Sequence, residues 1–102
     1  TLKKSCGNEV RFFGNPDQTI NRVGIVSGGA SDLVYEAASS GVDAFVTGEA
    51  SEFVVRFAEE EGIAFYAAGH YATERFGVKA LGEWIGSTFG IKVSFIDLPV
   101  PV

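Results

Sequence analysis

The sequence predicts an α/β domain: a mainly parallel sheet with helices on both faces, in the order βαβαβαβ, preceded by a short strand. Three observations lead there. Short runs rich in valine, isoleucine and phenylalanine alternate with stretches whose apolar residues recur every three or four positions, the periodicities of strand and helix in turn. The change from strand to helix falls each time on a glycine corner, at Gly28-Gly29, Thr47-Gly48 and Gly69. Strands that alternate with helices in this way are joined by right-handed crossovers and so lie parallel.

The elements follow in order. Thr1 to Gly7 shows no periodicity, and residues 1–8 read as a linker remnant ahead of a single α/β domain over residues 9–102. Val10, Phe12 and Phe13 make a short strand that ends at the turn-forming Gly14-Asn15-Pro16-Asp17. Residues 22–27 form a β-branched run of the kind a strand buried on both faces shows. Ser31-Asp32 signals a helix start, and Leu33, Val34, Ala37 and Ala38 mark its packed side up to Gly41. Residues 42–46 are the next buried strand, followed by a helix over about residues 51–61 with Phe53, Val54, Phe57 and Ala58 on its core face. Glu59, Glu60 and Glu61 crowd the negative end of that helix dipole, so this end is expected to be solvated and frayed.

Residues 63–67 form a third strand of the unit, and a long helix runs from His70 to about Phe89, with Val78, Leu81, Trp84, Ile85 and Phe89 along one face. Gly82, Gly86 and Gly90 lie four apart on it, at a cost of about 1 kcal/mol for each interior glycine. Close approach of another backbone, within the domain or across a subunit contact, would compensate. Residues 93–96 read as a last strand, and Leu98-Pro99-Val100-Pro101-Val102 as an extended tail.

Bulk properties narrow the function. The chain has 102 residues, 46% of them hydrophobic and 21% charged, enough apolar content to bury a core. Its 8 basic and 13 acidic residues leave a net charge of −5, which argues against adhesion to nucleic acid or anionic lipid. No apolar run approaches the roughly 20 residues that span a bilayer, so a cytoplasmic location is expected. The one cysteine, Cys6, has no partner for an internal disulfide and reads as a bystander thiol. The chain lacks methionine and starts at Thr1, as a piece of a longer protein or a trimmed one would.

Three polar corners on one sheet edge are the candidate site. Gly28-Gly29 is either a tight turn or a ligand-lining loop whose N–H groups attract an anion. Thr47-Gly48-Glu49 is either a helix start or the source of a pocket carboxylate, with Glu49 as a general base or as a group orienting a ligand. His70 and Glu74, one helical turn apart, project from one face and can converge on one ion. Two such groups are half a metal site, because a first-row ion needs at least three protein ligands.

Four blocks carry a resemblance to a known family: Arg22-Val-Gly-Ile-Val-Ser-Gly-Gly29, Gly41-Val-Asp-Ala-Phe-Val-Thr-Gly-Glu49, Ala68-Gly-His-Tyr-Ala-Thr-Glu74 and Phe95-Ile-Asp-Leu-Pro99. In order and with matching gaps, they resemble the carboxyl-terminal half of the Nif-three-like dinuclear metal proteins, the type 2 GTP cyclohydrolase I homologues. The resemblance implies that His70 and Glu74 are metal ligands. It places Glu49 in the pocket, lined also by Gly28, Gly29, Thr47 and Gly48. It further implies two divalent ions per site in the full-length protein (Zn, Mn, Fe or Mg alike), with the other ligands in an amino-terminal half absent from this chain. A ring-shaped homohexamer, a small-molecule substrate and metal-assisted hydrolysis belong to the same expectation, as does an isolated fragment without activity. The alternative is a non-catalytic regulatory or scaffold module that binds a small ligand or partner and mediates oligomerisation.

Overall fold

The computed structural model describes residues 1–7 and 9–100; Asn8 of the expected lead-in and Pro101-Val102 of the expected tail lie outside the described residues. The elements are α1 (Leu2–Cys6), β1 (Arg11–Phe13), β2 (Val23–Ile25), a 3-10 turn (Ser31–Leu33), α2 (Val34–Ser39), β3 (Ala44–Thr47), α3 (Glu52–Glu61), β4 (Ala64–Ala67) and α4 (His70–Phe89). One four-stranded sheet has the order β1-β4-β3-β2. β2, β3 and β4 are parallel, and β1 runs antiparallel against β4. The α/β class and the mainly parallel sheet are as expected.

Register explains the core. Gly24, Phe45, Phe65 and Phe13 are successive cross-strand partners, so they share one face of the pleat. Phe45 and Phe65 are fully buried with ring centroids 5.7 Å apart. Val34 and Ala37 of α2, Val54 and Ala58 of α3 and Ile63 close over them. Tyr35 of α2 stacks on Phe53 and meets Phe57 edge-on, both from α3, at 5.4 and 4.5 Å. The two crossover helices therefore lie on the same face. Topology requires it: β2, β3 and β4 step in one direction across the sheet, and right-handed crossovers then return on one side. The opposite face carries the Phe12–Tyr66 ring pair, bordered by the start of α1.

Several expectations change. The opening segment is ordered into α1, and Arg75 donates to Ser5 O at 3.1 Å. β2 is an edge strand, with Val23 49% and Ile25 73% exposed, so its apolar run is not buried on both faces. Residues 93–96 do not join the sheet. The next strand of a right-handed series would lie beside β4, and β1 already occupies that edge. The chain turns at Gly90, which caps α4 rather than extending the glycine stripe, and returns along the helix. An ideal Cβ on Gly82 would lie 3.0 Å from Val93 Cγ1, and one on Gly86 3.4 Å from Ile91 O. The backbone that approaches the stripe is thus the chain's own. The expected core face of α4 stays on the surface: none of its residues is buried, and Val78, Leu81, Trp84 and Phe89 are all exposed. Glu59, Glu60 and Glu61 are exposed as expected, but α3 ends tied rather than frayed, with Gly62 and Ile63 both donating to Ala58 O. No helix among the described residues is long and apolar enough to cross a membrane.

Candidate metal-ligand cluster

Three parallel strands end at one edge, and their corners are sewn together beyond the last strand residues. Gly48 N donates to Gly28 O at 2.8 Å and Gly69 N to Gly48 O at 2.9 Å. Thr47 Oγ1 also donates to Gly28 O, at 3.2 Å. Thr47 is completely buried, so it ties the corners together and does not line a pocket, contrary to expectation. Thr73, which sequence reasoning passed over, accepts from Gly28 N at 2.9 Å and donates to Gly69 O at 2.8 Å. It locks the first corner to the start of α4. Only a hydroxyl three residues into that helix can do both, and no periodic pattern marks it.

On this base stands the imidazole of His70, between two carboxylates. Nδ1 is 2.5 Å from Glu49 Oε1, and Nε2 is 3.2 Å from Glu74 Oε1. Glu74 arrives by the one-turn spacing within α4, and Glu49 by the β3 corner. The glycine pair forms the floor. A Cβ on Gly28 would fall 2.4 Å from Glu74 Oε1, and one on Gly29 3.1 Å from Glu49 Oε2. Glycine at both positions is what lets the acids close on the ring. The cluster stays partly open to water, with side-chain exposures of 38% for His70, 52% for Glu49 and 53% for Glu74.

The hydrogen bond from Glu49 raises the His70 pKa above its ordinary 6.5, desolvation opposes the rise, and the charge of Glu74 adds to it. A neutral ring donates one N–H and offers one lone pair. Here both nitrogens face carboxylate oxygen, so a lone pair at Nε2 would point at Glu74. The arrangement calls for a positive charge: a second ring proton, or a cation between Nε2 and Oε1.

The donor set suits a divalent ion. Two donors on one tetrahedral first-row ion, with bonds of roughly 2.0–2.1 Å, stand about 3.3 Å apart. His70 Nε2 and Glu74 Oε1 stand 3.2 Å apart. A ligating histidine ordinarily gives its other N–H to a carboxylate, which is the position of Glu49. Among the described residues, however, no group of three His, Cys, Asp or Glu side chains could hold an ion, because Glu49 and Glu74 take opposite edges of the ring. The fit is that of two ligands with one supporting carboxylate.

Beside the cluster opens a cleft of about 850 Å³, bounded by Gly48, Glu49, Arg11, Tyr71, Arg75 and Pro99 among others. Glu49 belongs to both, whereas Gly28, Gly29, His70 and Glu74 belong to the cluster alone. The Tyr71 hydroxyl donates to Asp97 and accepts from Leu98 N, so its pKa rises, chiefly through the Asp97 bond. Arg75 lies 3.5 Å from Asp97. Tyr71 and Arg75 repeat the one-turn spacing of His70 and Glu74, a signal legible in the sequence; nothing local marks Asp97 as their partner.

Comparison with known proteins gives a consistent result. A family model described as Duf34/NIF3 (NGG1p interacting factor 3) matches residues 1–100. A Yersinia pestis protein named GTP cyclohydrolase 1 type 2 homolog is 45% identical over 101 residues, covering 98% of this chain and 41% of its own length. A Pseudomonas aeruginosa protein of the same name is 51% identical over 84 residues, covering 82% and 33%. The solved structure of protein ybgI, of unknown function, has a TM-score of 0.91 at 41% identity, covering 99% of this chain and 41% of that one. TTHA1606 from Thermus thermophilus has a TM-score of 0.79 at 30% identity, covering 99% and 40%. The chain therefore spans about two fifths or less of the length of these relatives.

Proposed function

The chain belongs to the Duf34/NIF3 family, and on that premise we propose that it supplies part of a divalent-metal site to a hydrolase-like protein acting on a small molecule. His70 and Glu74 are the ligands, and Glu49 is the carboxylate that orients the imidazole. One observation supports this above the rest: the ring is held at both nitrogens by carboxylates, over a glycine floor where a Cβ would crowd both acids. The remaining ligands come from outside these residues, from the rest of a longer protein or from a neighbouring subunit of a homo-oligomer, a hexamer by family resemblance. Two ions per site, in a cytoplasmic protein, complete the proposal.

When bound, a divalent ion supplies Lewis-acid polarisation of a substrate oxygen and activates water. The chain's own groups do the rest. Glu49 accepts a hydrogen bond from Nδ1–H, which selects the tautomer whose Nε2 lone pair would face the ion. Thr73 and Thr47 hold the glycine corners in register, so the Gly28 floor stays beneath the His70–Glu74 turn. Glu49 Oε2, free of the ring, faces Gly29, where it can accept a proton from an incoming donor. The relatives' name, GTP cyclohydrolase 1 type 2 homolog, is compatible with hydrolysis.

The test is calorimetric titration of Zn, Mn and Fe(II) into the longer protein that contains this chain. His70→Ala and Glu74→Gln should lose an ion. Glu49→Gln should keep it with affinity weakened about 10- to 100-fold. If His70→Ala bound metal with wild-type stoichiometry and affinity, the ligand assignment would be wrong.

A second reading, a regulatory or scaffold module, draws on the exposed apolar face of α4 at Leu81, Trp84 and Phe89, a surface suited to assembly. Metal analysis of the purified longer protein separates the two. Near-stoichiometric metal supports the hydrolase, and its absence supports the scaffold.

A further inference from the structure

We propose that the cleft beside Glu49 is an anion subsite, in which Arg11 and Arg75 receive a phosphoryl or carboxylate group of a small molecule whose other end reaches Glu49. This deepens the function proposed above and rests on it for the role of Glu49. The placement of Arg11 follows from the one antiparallel strand. Arg11 is paired with Ala67, so the start of β1 meets the end of β4, and a strand on the far edge of the sheet delivers a guanidinium to the corners. Arg75 comes from α4, one turn beyond Tyr71 and on a helical face adjacent to that of His70 and Glu74. Both arginines border the same cleft as Glu49.

The cleft offers cationic groups at two defined positions, Arg11 and Arg75. The acids that line it are Glu9 and Glu49, and Glu49 is already engaged by His70. Among the described residues Arg11 is in no ion pair. Arg75 is oriented by Ser5 O and Asp97, at 3.1 and 3.5 Å, with its side chain 31% exposed. The planar guanidinium fork matches phosphate and carboxylate oxygens two at a time. Asp97, a tail carboxylate on Arg75, occupies the kind of contact that a ligand anion would take over. In a chain with 8 basic residues against 13 acidic ones, the cleft sets two arginines against two acids, so attraction for an anion is local to the two guanidiniums and not a field of the whole surface.

The test is calorimetry on the longer protein that contains this chain, with inorganic phosphate and separately with acetate, at constant ionic strength and with chelator present so that no divalent ion contributes. Saturable binding of phosphate alone identifies a phosphoryl subsite, and binding of both identifies a general anion site. Arg11→Gln should weaken binding about tenfold, and Arg11→Lys less, because the charge survives without the fork. Circular dichroism checks that both variants fold. Asp97→Asn should tighten binding by freeing Arg75. Failure of the wild type to bind either anion saturably, or wild-type affinity in Arg11→Gln, overturns the subsite. Unchanged or weaker binding in Asp97→Asn overturns the role of Arg75 and leaves it a strut for the tail. The titration is run in chelator, so its outcome is independent of the metal assignment: if His70→Ala kept its metal in the separate metal titration, that assignment would fail while the anion subsite stood.

Discussion

Gly28→Ala tests the glycine floor most directly. The new Cβ would sit 2.4 Å from Glu74 Oε1 and 3.4 Å from His70 Nε2. Ordinary contact begins near 3.5 Å, so the carboxylate has to withdraw by about 1 Å. It can do so, because it is the end of a flexible side chain, but in withdrawing it leaves the imidazole. A second cost is in the backbone: Gly28 has φ +74°, a left-handed conformation that costs an L-residue about 1–2 kcal/mol. Gly62→Ala is the control. Gly62 has φ +68° and open space where its Cβ would go, so that variant meets the backbone cost without the clash. Both variants should lose about 1–2 kcal/mol in chemical denaturation, with midpoint temperatures lower by about 4–8 °C for each kcal/mol. Only Gly28→Ala should also bring the His70 titration down toward its ordinary value and weaken divalent-ion binding at least about tenfold. NMR titration of the ring protons and calorimetry read these effects. If Gly28→Ala matched Gly62→Ala in both, the floor would not be what positions Glu74.

Gly48→Ala should be far worse, with a loss of at least about 3 kcal/mol by denaturant titration, because its Cβ would meet backbone at Gly28 O (2.4 Å), His70 Cα (2.7 Å) and Gly69 O (2.9 Å), none of which can swing aside. Protonation of His70 should stabilise the fold. Its folded pKa is raised above 6.5, so its contribution is complete below that value and is lost as pH rises through the higher folded pKa. The ring should titrate lower in Glu49→Gln than in Glu74→Gln, since the Glu49 hydrogen bond is the largest cause of the shift; the reverse order by NMR would contradict this. On α4, Gly77→Ala fills open space and should raise stability by about 1 kcal/mol. Gly82→Ala should gain less or lose, since Val93 stands 3.0 Å from the new Cβ; thermal melts of the pair distinguish the sites.

What could be read along the chain is what neighbouring residues settle among themselves. Apolar periodicity located β3, α3, β4 and α4, and the bounds of α4, His70–Phe89, agree with the structure. The one-turn spacing brings His70 and Glu74 to one side, because helical geometry alone decides that. The glycine corners fall where strands must turn, and all three meet at one edge, since parallel strands end together.

Relations between distant segments were decided by the tertiary structure. β1 takes the edge beside β4, and that occupancy keeps residues 93–96 out of the sheet and sends them back along the glycines of α4. The apolar run at Val23 and Ile25 resembles a buried strand until its position at the sheet margin is known. Thr73 binding Gly28, Asp97 binding Tyr71, and Arg11 reaching the cleft each join residues far apart in sequence, and no local pattern encodes such a meeting. Side-chain periodicity specifies which face a residue takes on its own element; which face it meets depends on the edges left free once the strands have paired.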